Sequence, residues 1–246
     1  MDITHTLNDD LKALRLPYIR ENYLDLAKNA IAKSLGHVDF LHSLIHGERE
    51  QRLQRATQRR LRSATFPFLR TMETYNFDHP EKIDRMRVQH LFRLDFVTGR
   101  SNVIFIGNTG LGKTHLAVAL TYHACLQGYK VLYCSATTMV NELITAQAQH
   151  RLPQALKRFV NPDILMIDEL GYLPIDKLGA DLLFQVISGR YERGSIILTS
   201  NLIFKHWSQI FSGDATLTSA ALDRLVHHHE LIIIEGESYR MKKPTN

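Results

Sequence analysis

The chain has 246 residues, 44% hydrophobic and 22% charged, which excludes wholesale disorder and allows one large domain or a small domain plus a medium one. No apolar run approaches the roughly 18 residues of a membrane-spanning helix. The opening MDITHTLNDD lacks a basic secretory start, and Cys125 and Cys134 alone cannot build a disulfide framework or a four-ligand zinc site, so a cytoplasmic protein with no membrane partner is expected.

In chain order, the first elements read as helices. Leu7, Leu11 and Leu14 are spaced by four and three, and Pro17 closes that segment. Residues 19–32 are helix formers ended by Gly36, and Phe40, Leu41, Leu44 and Ile45 give another helical face ended by Gly47. The net charge of +5 is mild, but between Arg49 and Arg70 seven arginines stand against Glu50 alone. Arg49, Arg52, Arg55, Arg59 and Arg62 recur at steps of three and four, which lines them along one helix face. That face suits a polyanion; its bland alternative is a solvated helix surface. Residues 63–67 read as a joint, so a helical N-terminal domain of residues 1–68 and a second domain of residues 69–246 are expected.

Beyond the joint, short β-branched runs at 103–106, 131–134, 164–167, 196–198 and 231–234 alternate with helical patterns. Runs apolar on both faces suit buried parallel strands, which predicts an α/β sandwich with helices on both sides. Phe77 and Ile83 suit either a base slot or plain core. His227, His228 and His229 are adjacent, so they cannot all face one metal, and a surface turn is the expectation. Cys125 and Cys134 read as small core residues.

Gly107-Asn108-Thr109-Gly110-Leu111-Gly112-Lys113-Thr114 fits G-x-x-x-x-G-K-[ST], with a strand leading in and a helix leading out. Glycines let backbone N–H groups wrap a phosphate, and the helix start adds positive potential. Lys113 is then expected on the β- and γ-phosphates and the Thr114 hydroxyl on Mg²⁺. The run 164–167 ends in Asp168 and Glu169, carboxylates at the end of a strand where ligands of α/β sheets bind. Asp168 is the expected metal residue and Glu169 the general base that polarises water. Asn201, at the tip of a third strand, can sit between γ-phosphate and water, or can simply be a turn residue.

These residues resemble the AAA+ class of P-loop ATPases, and within it the DnaC/IstB group, most closely the IstB-like helper ATPases of insertion sequences. The resemblance spans about residues 76–242. It is carried by GNTGLGKTHLA from Gly107, ILMIDELGYLPI from Ile164, RYERGSIILTSN from Arg190 and ALDRLVHHHELIIIEGESYR from Ala221. It implies a five-stranded parallel sheet of order 5-1-4-3-2, with ATP and Mg²⁺ held along Gly107 to His115 and nucleotide shared between subunits of a homo-oligomer. An arginine from a neighbouring subunit would complete the site: Arg224 is the best match, with Arg190 and Arg193 as runners-up. Arg240 is implied as a nucleotide contact in cis. Asn108 departs from the proline of many relatives, and the few residues after Arg240 leave no room for a helical lid.

The resemblance further implies a bacterial DNA-handling role, in which ATP controls assembly on duplex DNA that is remodelled and delivered to a partner transposase. Arg49, Arg52, Arg55, Arg59, Arg62 and Lys205 are the DNA-contact candidates. Two other readings share the nucleotide site: a replicative helicase loader, and a nucleotide-switched DNA-binding scaffold with negligible hydrolysis.

Overall fold

The computed structural model describes residues 3–239. Ten α-helices and five strands are assigned there: α1 (Ile3–Ala13), α2 (Pro17–Ala32), α3 (His37–Ser63), α4 (Arg85–Leu91), α5 (Asp95–Thr98), β1 (Asn102–Gly107), α6 (Lys113–Leu126), β2 (Val131–Ser135), α7 (Ala136–Ala148), α8 (Leu152–Val160), β3 (Ile164–Leu170), α9 (Lys177–Arg190), β4 (Ser195–Ser200), α10 (Ala215–Val226) and β5 (His229–Ile234). The chain forms two compact units, one ending at Arg59 and the other beginning at Arg60, inside α3.

The first unit packs Leu11, Ile19 and Leu44 into a small core, with Tyr18 and Phe40 against it. Pro17 does not close α1. It starts α2, where a missing N–H costs nothing and the fixed φ favours a helical start. Gly47 does not end a helix either, because α3 runs straight through it. A Cβ at Gly47 would collide with the Tyr18 ring, so this glycine makes room for a neighbouring helix. The next residue, buried Glu48, accepts from the backbone N–H groups of Tyr18 (2.9 Å) and Ile19 (3.3 Å), serving the start of α2 with its carboxylate. Arg52 closes the arrangement by donating to Glu48 Oε1 at 2.9 Å and to the carbonyl of Arg15 at 2.5 Å.

The second unit is a parallel sheet of order β2-β3-β4-β1-β5, the order the resemblance implied. Alternate strand residues serve two cores, as the two-residue side-chain period requires. Val103, Phe105, Met166, Ile197 and Ile232 face the layer with α6. Ile104, Ile106, Ile167 and Leu198 face the layer with α7, α9 and α10. Leu61, Ala64 and Phe66 pack with the α6 layer. The joint also pairs with outer strand β2: Tyr133 N–H donates to Ala64 O at 2.8 Å, and the Thr65 hydroxyl donates to Tyr133 O at 2.9 Å.

Helices α4, α7, α9 and α10 start at Asp84, Ser135, Asp176 and Asp214, each accepting an N–H of the first turn on its side chain. Helix α6 starts instead at Gly112, which has no side chain to cap with, and its first N–H groups open into the loop before it. No helix among the described residues is long and apolar enough to cross a membrane.

Candidate functional site

The C-terminal ends of β1, β3 and β4 meet the start of α6 around a cleft of about 470 Å³. Its floor is the loop 109–115; Glu169, Thr199, Ser200 and Asn201 form one wall, and Thr74, Tyr75, Asn76, His79 and Tyr239 another. Gly110 and Gly112 take φ of +84° and +82°, the left-handed region where a side chain is strained. Both also lack space. A Cβ at Gly112 would sit 2.5 Å from the Tyr75 ring, and one at Gly110 would collide with Ser238. The loop is thus clamped from both flanks. The Tyr75 hydroxyl donates to Leu111 O at 3.0 Å, and Tyr239 N–H donates to Gly110 O at 3.1 Å. Burial raises the Tyr75 phenol to about 12, so it stays a donor.

Lys113 opens α6, and its ammonium donates to Asn108 O at 2.8 Å. Next to it, the Thr114 hydroxyl donates to Asp168 Oδ1 at 2.9 Å, which brings together the two residues expected to serve Mg²⁺. Asp168 is buried and also accepts from Thr199 (2.6 Å, Oδ1) and from the Tyr133 hydroxyl (3.0 Å, Oδ2). Burial first, and then the neighbouring Asp168 carboxylate, push the Tyr133 phenol upward, so it too remains a donor. A hydroxyl beside a carboxylate is an all-oxygen donor set, which fits a hard divalent cation such as Mg²⁺. Glu169 is exposed in the cleft with φ +60°, an uncommon conformation for a residue with a side chain. Asn201 is exposed on the same wall.

His115 is half-buried, its Nε2 lying 3.0 Å from the Thr74 hydroxyl and 3.1 Å from Thr71 O. Desolvation lowers its pKa, and Arg70 adds to the lowering while the Thr71 carbonyl opposes it. The first turn of α6 is thereby tied to the segment that frames the cleft entrance.

A family model described as IstB-like ATP binding protein matches residues 9–246. The chain belongs to the IstB-like ATP-binding family. It is 38% identical to an ATP-binding protein of insertion sequence IS21 from Pseudomonas aeruginosa, over 97% of this chain and 90% of the relative. It is 37% identical to the corresponding protein of IS5376 from Geobacillus stearothermophilus, over 94% of this chain and 91% of the relative. Two solved structures share the AAA+ fold of the second unit. The DnaC helicase loader has a TM-score of 0.54 at 22% identity, covering 67% of this chain and 96% of that one. AMPPCP-bound DnaA from Aquifex aeolicus has a TM-score of 0.56 at 20% identity, covering 69% of this chain and 51% of that longer one.

Other expected residues of this IstB-like chain lie apart from the cleft. Arg224, on α10, donates to Ala220 O at 2.8 Å, sits 5.0 Å over the Phe184 ring and does not line the cleft. Arg193 is exposed. Arg190 corrects an expectation: it is fully buried, and its two terminal nitrogens donate to five backbone carbonyls. It cannot reach a neighbouring subunit without the core opening. Arg240 lies outside the described residues. Phe77 and Ile83 pack on the α6 core and not along the cleft. His229 begins β5, while His227 and His228 are exposed, and no cluster of metal-ligating side chains forms among the described residues. Cys125 and Cys134 are buried, and burial raises their thiols to about 11 and about 12.

Arg49, Arg55, Arg59, Arg62 and Lys205 are exposed; Arg52 is exposed too, but its guanidinium is committed to Glu48 and Arg15. Thr199, Tyr133, Tyr75 and Tyr239 were not anticipated as site residues. Thr199 carried one available signal, a hydroxyl two residues before Asn201 on the same strand.

Proposed function

We propose that this chain is a Mg²⁺-dependent ATPase that assembles as a homo-oligomer on duplex DNA, remodels it, and delivers it as target to a partner transposase. One observation carries the catalytic part: a phosphate-loop threonine and a buried strand-end aspartate share a 2.9 Å hydrogen bond, with Glu169 in the cleft beside them.

The chemistry follows from those positions. Backbone N–H groups of residues 109–114 and the start of α6 receive the phosphates, and the Lys113 ammonium balances charge on the β- and γ-groups. Thr114 and Asp168 are the residues that would hold Mg²⁺. When bound, that ion supplies charge neutralisation on the phosphate oxygens. Glu169 takes a proton from water as the water oxygen bonds to the γ-phosphorus and the bond to the β-phosphate oxygen breaks, leaving ADP and phosphate. Asn201 orients the water. Arg224, which does not line its own cleft, serves the cleft of a neighbouring copy, where a guanidinium offsets charge in the transition state. Arg240 contacts the nucleotide in cis.

The DNA part rests on Arg49, Arg55, Arg59 and Arg62 of α3 and on Lys205, whose contacts are to phosphates and therefore indifferent to sequence, while Arg52 of the same face is committed to Glu48 and Arg15. Ile31 and Val38 of the helical unit, each 80% exposed, are the residues through which that unit would meet a protein partner. The insertion-sequence relatives, at 37% and 38% identity, favour a transposase over a replicative helicase as that partner.

Phosphate release with and without duplex DNA tests the proposal. Lys113→Ala should lose nucleotide binding, and Glu169→Gln should keep ATP, stop turnover and accumulate the DNA-bound assembly. A Gln variant as fast as the parent overturns the base assignment. No release under any condition favours the scaffold reading, and capture of a replicative helicase in place of a transposase favours the loader.

A further inference from the structure

The ladder between β3 and β4 is regular up to the pair Ile167 and Leu198, and it resumes at Leu170 and Ser200. Two residues of β3, Asp168 and Glu169, therefore oppose one residue of β4, Thr199. This is a β-bulge, the device that re-aims side chains beside active sites. It explains why Glu169 has φ +60°: the extra residue must leave the extended region for the strand to rejoin its register. It also breaks the ladder at that point, and the broken ladder is repaired by a side chain. Glu169 N–H donates to the Thr199 hydroxyl oxygen at 2.9 Å. The same hydroxyl donates its own proton to Asp168 Oδ1 at 2.6 Å, the short distance of a bond to a carboxylate. Thr199 is 1% exposed, so water cannot readily substitute for either bond. One residue further, the Ser200 hydroxyl donates to Leu170 O at 2.7 Å and holds the far side of the bulge.

We propose that Thr199 is the positioning residue that sets both acids of the site, resting on the ATPase reading above. Its one hydroxyl holds Glu169 in the left-handed conformation that sends the carboxylate into the cleft, and it fixes the oxygen of Asp168 that also meets Thr114. Thr199 does not touch substrate; it acts through Glu169 and Asp168. Because Asn201 lies two residues along the same strand, a shift of β4 moves the water-orienting residue and both acids together.

The test compares Thr199→Val, which keeps the shape and removes both bonds, with Thr199→Ser, which keeps the hydroxyl. Three quantities are measured in each: melting temperature, ATP affinity by calorimetry in EDTA and in excess Mg²⁺, and kcat with KM. Thr199→Val should lower kcat about 10–100-fold, the usual cost of removing a group that orients a metal ligand. ATP affinity in EDTA should stay within about twofold, and the gain in affinity on adding Mg²⁺ should shrink several-fold. Thr199→Ser should restore all of these to within about threefold of the parent. A Val variant with parental kcat and parental Mg²⁺ gain overturns the proposal. So does a Ser variant as impaired as Val at equal melting temperature. If Val does not fold, Thr199→Ala read against Ser makes the same comparison. Should the parent bind ATP with Mg²⁺ but never hydrolyse it, the base role of Glu169 fails; the Mg²⁺ gain in Val against Ser then still decides the role of Thr199.

Discussion

Replacing Arg190 with methionine separates a structural arginine from one that acts on a neighbour. The guanidinium donates to the carbonyls of Phe159, Val160, Pro162, Asp163 and Ser195 at 2.8–3.1 Å, tying the end of α8, the start of β3 and the start of β4 together. Gly194 is shaped to it, since a Cβ there would lie 2.6 Å from the guanidinium. Five bonds to a charged donor, at about 1.5 kcal/mol each, contribute about 7.5 kcal/mol gross. Against this stands the cost of the buried charge. Desolvation lowers the Arg190 pKa from 12.5 to about 10, which converts to about 3 kcal/mol. Methionine refills the channel of the methylenes, so the expected loss is about 4 kcal/mol, or roughly 10 °C in melting temperature for a chain of this size. Urea denaturation followed by circular dichroism measures it. A variant with the parental midpoint that nonetheless loses ATP turnover would falsify this reasoning and return Arg190 to the list of trans arginines.

Reversing Arg55 and Arg59 to glutamate should weaken duplex binding and flatten the slope of log affinity against log salt by about two, since each phosphate contact contributes about 0.9. Arg52 is best left alone, because its reversal would also break the bond to buried Glu48; an unchanged slope moves the DNA surface elsewhere. Gly112→Ala should abolish ATP binding through its left-handed φ and its collision with Tyr75, and parental affinity by calorimetry would refute the clamp described for the loop. His115 has a folded pKa below its ordinary 6.5, so its contribution is complete above about pH 6.5 and is lost as pH falls, when the unfolded chain takes up the proton first. Urea midpoints of the parent and His115→Gln should therefore run parallel above about pH 7 and diverge toward pH 5, the parent falling faster; curves parallel throughout refute it.

Much of this site was legible locally. A phosphate loop is a contiguous run whose glycines and Lys-Thr do their work within a few residues, so its pattern survives in one dimension. Parallel strands buried on both faces announce themselves as β-branched runs, and all five lie where those runs stand. The acids were visible because they end such a run. Local signals failed where a residue serves something distant. Gly47 and Pro17 read as helix ends because those are their commonest local roles, yet one accommodates the Tyr18 ring and the other starts a helix. Arg190 stood as a runner-up for the trans arginine because it flanks the helix before the Asn201 strand, and a position along the chain does not report burial.

What lay beyond one-dimensional reading is the arrangement around Asp168. Its three hydroxyl donors, Thr114, Tyr133 and Thr199, stand 54, 35 and 31 residues away along the chain. Whether they meet depends on strand order, on register and on a bulge that only β4 can reveal in β3. Composition and periodicity specify which segments become strands and helices because those preferences are satisfied within a turn or two. The partners of a buried carboxylate are chosen by packing, when segments far apart in the chain are pressed into one layer and every polar group left inside must find a bond.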